Sequence, residues 1–252
     1  MITTERPSEH VVVVTIDRPP ANAIDRVHQR ELAAALTEAE DDLEVRAIVL
    51  TGGGSMFCAG ADLREEQSIE RDEVGDLLGD IGRLLATVRT HRVPIIAAVN
   101  GPAHGGGLEL ALSCDIRIGS TEASFGAAGV NVGLVANVAQ LRELIGTARA
   151  AHLLTTGLTC RAEQALTWGL LTALHEPGEL LPAAERLADR IASRAPLSVE
   201  ATKSMLRALP DLDRRAATRL QGEEFSRLFR TEDHAEALRA FFEKRPGRYH
   251  RR

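Results

Sequence analysis

Three glycines run straight into an apolar segment with one carboxylate in its first turn: Gly105-Gly106-Gly107-Leu108-Glu109-Leu110. The first N–H groups of a helix lack intrahelical partners and sit at the positive end of its dipole, and glycine lets a substrate oxygen approach them closely. Such a junction offers an oxyanion site beside a proton carrier, Glu109. A first-turn acid is favoured by the dipole without any catalytic purpose. Here, however, Leu108, Leu110, Ala111 and Leu112 surround Glu109 with apolar character, where an unpaired carboxylate is costly to keep. A second cluster of small residues, Met56-Phe57-Cys58-Ala59-Gly60-Ala61-Asp62-Leu63, permits close approach of a ligand to the backbone.

Several other chemistries are disfavoured by spacing. A dinucleotide fingerprint starting at Gly105 needs glycine at position 110, which is Leu110, and Gly52-Gly53-Gly54-Ser55 lacks the Gly-Lys-Ser/Thr of a phosphate loop. A hydrolase elbow Gly53-x-Ser55-x-Gly fails at Phe57. Cys58, Cys114 and Cys160 have neither disulfide-framework nor metal spacing, which points to a reducing, cytoplasmic setting and no metal. The net charge of −6 argues against a nucleic-acid partner. Residues 1–10 lack an apolar signal core, and no apolar run is long enough for a bilayer.

The elements that must position these residues alternate. The β-branched run at 11–16 predicts a strand closed by Asp17-Arg18-Pro19-Pro20, followed by a helix over about 25–40. Further strands are expected at 47–50, 95–99 and 115–118, so the chain reads as α/β with largely parallel pairing. Segment 65–72 is polar and reads as mobile. From Val138 onward the pattern is almost purely helical, with amphipathic helices beginning near Leu180, Leu197, Leu212 and Asp233. Two regions follow, a core over 1–191 and a helical region over 192–252.

Four segments carry a resemblance: Arg18-Pro19 through Asn22-Ala23, Phe57 through Leu63, Asn100-Gly101 through Cys114-Asp115, and Phe242-Glu243-Lys244-Arg245. In their order and spacing the chain resembles the enoyl-CoA hydratase/isomerase, or crotonase, superfamily. The resemblance implies a spiral of ββα units with C-terminal helices that drive trimers or hexamers. It implies an acyl-CoA thioester as substrate, coenzyme A arriving on the substrate and no separate cofactor. Ala61 and Gly106 N–H would form the oxyanion hole, within the small-residue turns of Gly60 and Gly105, and Glu109 would move the proton. Ala23, Ala59 and Leu63 would lie along the CoA arm. Arg64 would meet a phosphate, and Asp62 would brace the loop.

The family's hydratases carry a second glutamate at the position occupied here by Gly129, within Phe125-Gly126-Ala127-Ala128-Gly129-Val130. The glycine-rich turn after it is rewritten as Ala136-Asn137-Val138-Ala139-Gln140. The expected chemistry is therefore hydration or lyase chemistry on an enoyl-CoA with a single glutamate. The alternatives are a catalytically silent acyl-CoA binder and a decarboxylase or isomerase. Glu122 reads as a surface charge and His104 as a packed strand-end residue. Asn131 and Asn137 could hold a water, although asparagine in turns commonly serves backbone.

Overall fold

Long apolar runs at the centre of the chain pair in parallel and are covered on both faces. The computed structural model describes residues 1–252, the side chain of Arg71 excepted. Among the described residues the strands are β1 (Ile2–Ser8), β2 (Val11–Ile16), β3 (Ala47–Gly52), β4 (Ile95–Val99), β5 (Pro102–His104), β6 (Ile116–Ser120), β7 (Ser124–Gly126), β8 (Thr159–Arg161) and β9 (Ala173–His175). Every residue of β3 and β4 is buried, as a strand between two layers requires. Alternation sorts their side chains. Ile48, Leu50, Ile95, Ala97 and Val99 enter the larger core, while Ala47, Val49, Ile96 and Ala98 enter the smaller one.

The large sheet has the order β1-β2-β3-β4-β6-β9, parallel except for the β1–β2 pair. A small sheet holds β5, β7 and β8, with β5 parallel to β7 and β7 antiparallel to β8. The helices are α1 (Arg26–Asp41), α2 (Leu63–Ser68), α3 (Val74–Thr90), α4 (Gly106–Ser113), α5 (Val138–Ile145), α6 (Thr147–Thr156), α7 (Ala162–Trp168), α8 (Pro177–Ala192), α9 (Pro196–Ala208), α10 (Arg214–Phe229) and α11 (Glu232–Glu243). Each turn of the spiral lays one strand in the large sheet and a short stretch in the small one, then a helix. β4, β5 and α4 form one such turn, and β6, β7 and the segment leading to α5 form the next. Single parallel bridges, Ile24 with Ala61 and Cys58 with Ala103, continue the small-sheet layer into the earlier turns. None of these helices is long and apolar enough to cross a membrane.

The expected strands and α1 are present, with Asp25 capping α1 by accepting from the His28 N–H at 2.9 Å. Segment 65–72 contributes most of α2 and the start of a 3₁₀ turn. The stretch after Val138 departs from expectation because it contributes β8 and β9. These strands are three residues long, too short to show a period, and only their partners β7 and β6 make them strands. The boundary between 191 and 192 falls at the end of α8, whose buried Leu180, Ala183, Ala184, Ala188 and Ala192 cover the smaller core.

α1 and α3 are tied by one buried carboxylate. Asp80 accepts from Arg26 Nε at 2.8 Å, from Arg30 at 3.0 Å and from Arg83, and the Arg26 hydrogen bond is the main cause holding its carboxyl at about 2. Asp80→Asn is expected to cost roughly 1–3 kcal/mol at neutral pH. Three guanidiniums would lose their shared negative charge and one of its two acceptor oxygens, but their own exposure screens the effect. Because the folded pKa lies below the ordinary 3.8, this contribution is present above that value and lost as pH falls through the folded one. Thermal melts across pH should show the variant and the wild type converging in acid.

Candidate active site

Ala61 and Gly106 belong to consecutive turns of the spiral, and the bridge between Cys58 and Ala103 sets those turns side by side. A Cβ placed on Gly106 would lie 3.5 Å from the Ala61 nitrogen, and one placed on Gly60 only 2.6 Å from the Gly106 nitrogen. Gly60 also has φ +99°, so a side chain there would strain the backbone and block the Gly106 N–H. Gly106 opens α4 and so has no intrahelical acceptor. Among the described residues, neither the Ala61 nor the Gly106 N–H donates to a loop carbonyl or a side chain.

Both peptide planes are held from behind. The Gly60 carbonyl, in the same peptide unit as the Ala61 N–H, accepts from the Ile24 N–H at 2.8 Å. The Gly105 carbonyl, in the same unit as the Gly106 N–H, accepts from the Glu109 N–H at 3.2 Å and from Asn137 Nδ2 at 3.4 Å. A trans peptide directs N–H and C=O in opposite senses. Anchoring each carbonyl therefore fixes the direction of the N–H on the opposite side of its peptide.

Glu109 is half-buried in the first turn of α4, next to the buried Leu108 and Leu110. Among the described residues its carboxylate makes neither hydrogen bond nor ion pair. Burial pushes its pKa up, opposed in part by the charge of Arg89. Burial without a neutralising partner thus raises the proton affinity of this carboxyl.

Asp62 caps α2 by accepting from the Arg64 N–H at 3.0 Å and takes a second bond from Arg18 at 2.8 Å. The Arg18 bond is the main cause lowering its pKa. Arg18 also donates to the Ala23 carbonyl at 2.7 Å and pairs with Asp25 at 3.2 Å, so one guanidinium ties the half-buried Ala23 to the Asp62 loop. The Ala59 N–H donates to the Ala21 carbonyl at 3.0 Å. Leu63 is 57% exposed, unusual for a leucine, and Arg64 is exposed beside it.

Gly129 sits in a 3₁₀ turn, Ala128–Val132, after β7. The segment carrying it is fastened to the Gly105 turn at both ends, by the Gly105 N–H to the Gly126 carbonyl at 2.9 Å and by Asn137. A Cβ on Gly129 would come within 3.0 Å of the Leu134 carbonyl oxygen, whose own N–H donates back to Gly129 at 2.8 Å. The turn is closed around glycine, and a side chain there requires the backbone to give. Gly129 also lines a cavity of about 330 Å³ with Ala127, Val130, Leu134, Val138 and Leu154. A larger cleft of about 1330 Å³, lined by Arg46, Lys203 and Tyr249, contains none of these residues.

The remaining candidates take structural places. Burial pushes the Cys58 thiol up to about 11, Cys114 to about 12 and Cys160 to about 11, so none is a ready nucleophile. His104 ends β5 with Nε2 3.2 Å from Ser124 Oγ, and burial lowers its pKa. Glu122 is exposed, and Asn131 donates to the Gly157 carbonyl at 3.5 Å. Glu9, His10 and Glu44 gather at the surface on other elements.

The enoyl-CoA hydratase/isomerase family model matches residues 6–252. The chain belongs to that family. It is 39% identical over 243 residues to a short-chain-enoyl-CoA hydratase of Clostridium acetobutylicum, spanning 93% of this chain and 92% of that one. An (E)-benzylidenesuccinyl-CoA hydratase of Thauera aromatica is 37% identical over 250 residues, with 97% of each chain covered. The crystal structure of an enoyl-CoA hydratase from Bacillus anthracis superposes with a TM-score of 0.96 at 31% identity, covering 100% of this chain and 99% of that one. The ββα spiral is thus the crotonase fold, and the chain is a hydratase-like enzyme of acyl-CoA chemistry.

Asn22 and Asn100 stand in segments that carry the family resemblance, but the hydrogen bonds their side chains make were not legible in the sequence. Asn22 is 1% exposed with φ +51° and donates to the Gly53 and Met56 carbonyls at 2.9 and 2.6 Å. Asn100 donates to the Gly54 and Met56 carbonyls from the other side. Their only local signal is an amide side chain beside a turn. The raised pKa of Glu109 carries a stability cost: the protonated form's contribution is present below the ordinary 4.5 and lost as pH rises through the folded value. Glu109→Gln is therefore expected to melt above wild type near pH 8, with the gap closing in acid, as calorimetry can test.

Proposed function

We propose that the protein acts on an enoyl-CoA thioester, with the Ala61 and Gly106 N–H groups receiving the thioester oxygen and Glu109 moving the proton. What supports this reading is a single arrangement: two adjacent peptide donors without protein acceptors, beside an unpaired, half-buried carboxylate. As a water oxygen bonds to the β-carbon, the electron pair of the double bond moves onto the thioester oxygen as an enolate. Two preorganised donors stabilise that charge, each contributing about 3–4 kcal/mol. Glu109 accepts the water proton and, as the acid, returns it to the α-carbon when the enolate collapses. One carboxyl serves both steps, in keeping with Gly129 where the family's hydratases have a second glutamate.

Gly60 and Gly105 shape the donor turns and Asp62 braces them. Ala23, Ala59 and Leu63 lie along the CoA arm, Arg64 meets a phosphate, and the cavity at Gly129 takes the apolar acyl group. Coenzyme A arrives on the substrate, and the chemistry calls on no separate cofactor. The buried free cysteines suit the cytoplasm. Self-association through region 192–252, as a trimer or a dimer of trimers, is supported by the exposure of Phe225, Phe229, Phe241 and Phe242 on α10 and α11.

Purified protein incubated with a series of enoyl-CoA esters should hydrate at least one of them. The absence of both turnover and α-proton exchange in deuterated buffer would overturn the reading in favour of a silent binder. Glu109→Gln should lower kcat by about 10²–10⁴-fold and remove the acid limb of the kcat/KM profile, which should lie above the ordinary carboxylate value of 4.5. In sedimentation velocity, Phe225→Glu with Phe229→Glu should shift the protein from assemblies toward monomer; a monomeric wild type would reject self-association.

A further inference from the structure

Asn137 behaves unlike an ordinary helix cap. It stands at the N-cap of α5 with φ +63°, yet its side chain makes no capping hydrogen bond. It is only 6% exposed, and its Oδ1 is buried with no hydrogen-bond partner. A left-handed backbone, a forgone cap and an orphaned acceptor are each unfavourable. What the side chain does instead is donate Nδ2 to the Gly105 carbonyl, the far end of the peptide unit whose N–H belongs to Gly106.

We propose that Asn137 is a positioning residue for the Gly106 oxyanion donor, aiming and polarising that N–H through the Gly105 carbonyl. The inference rests on the thioester reading above. A peptide that accepts at its oxygen becomes a stronger donor at its nitrogen, by about 10–30% per bond. The same carbonyl takes the Glu109 N–H, so Asn137 fixes the donor and the first turn bearing the acid together. Ile24 performs the equivalent service for Ala61 with a main-chain N–H. At Gly105 a side chain does it, and that side chain lies at the far end of the Gly129 segment.

The test is infrared difference spectroscopy of a bound cinnamoyl-CoA labelled with ¹³C at the thioester carbonyl, alongside steady-state kinetics. Wild-type protein should move the carbonyl band to lower wavenumber. Asn137→Gly retains the freedom for positive φ but loses the carboxamide; it should keep the wild-type melting temperature within a few degrees, lose much of the band shift and lower kcat about tenfold, part of what removal of a whole donor costs, with KM little changed. Asn137→Asp, which sets an oxygen against the Gly105 carbonyl, should lose at least as much. A folded Asn137→Gly with the wild-type band and kcat would overturn the proposal. Wild-type protein that binds the ester without shifting its carbonyl band would overturn the thioester reading itself, and the two failures are distinct.

Discussion

The parallel pairing of successive spiral turns is the constraint on which the site depends. The Cys58–Ala103 bridge and the Gly105-to-Gly126 hydrogen bond stack three turns of chain in one register. From that stacking follow the adjacency of the Ala61 and Gly106 amides and the placement of the Gly129 segment over Gly105. Two fully buried strands, β3 and β4, run through the middle of the stack and send alternate side chains into the two core layers.

Within that frame, polarity is concentrated where backbone must be held in unusual conformations. Asn22, Asn100 and Asn137 each satisfy turn carbonyls from outside the turn, and Arg18 gathers Ala23, Asp25 and Asp62 around one guanidinium. Of the Ala61 and Gly106 peptide units, the Gly105 carbonyl is held by Asn137 and the Gly60 carbonyl by the Ile24 N–H, and a peptide held in this way needs little reorganisation when charge develops nearby. The carboxylate at the centre is treated in the opposite way. Among the described residues Glu109 has neither a hydrogen-bond nor an ion-pair partner, and burial raises its pKa against the opposing charge of Arg89.

Gly129 gains meaning from its surroundings. The Leu134 carbonyl oxygen lies 3.0 Å from where a Cβ on Gly129 would begin, so a side chain there requires that backbone to give. Under the proposed reading, a single carboxyl both takes and returns the proton.

Much of this was legible in the residues alone. The glycine run entering a helix at Glu109, the small residues around Ala61 and the uninterrupted apolar strands are local features, and local sterics, dipole and burial explain them. The family followed from four segments in order. Short strands such as β8 and β9 were not legible, because three residues carry no period. Neither were the roles of Asn137 and Arg18, nor the meeting of the two donor peptides. Those depend on hydrogen bonds between segments remote in sequence, whose partners are chosen by sheet register and packing, and only the tertiary structure fixes which carbonyl a buried amide reaches.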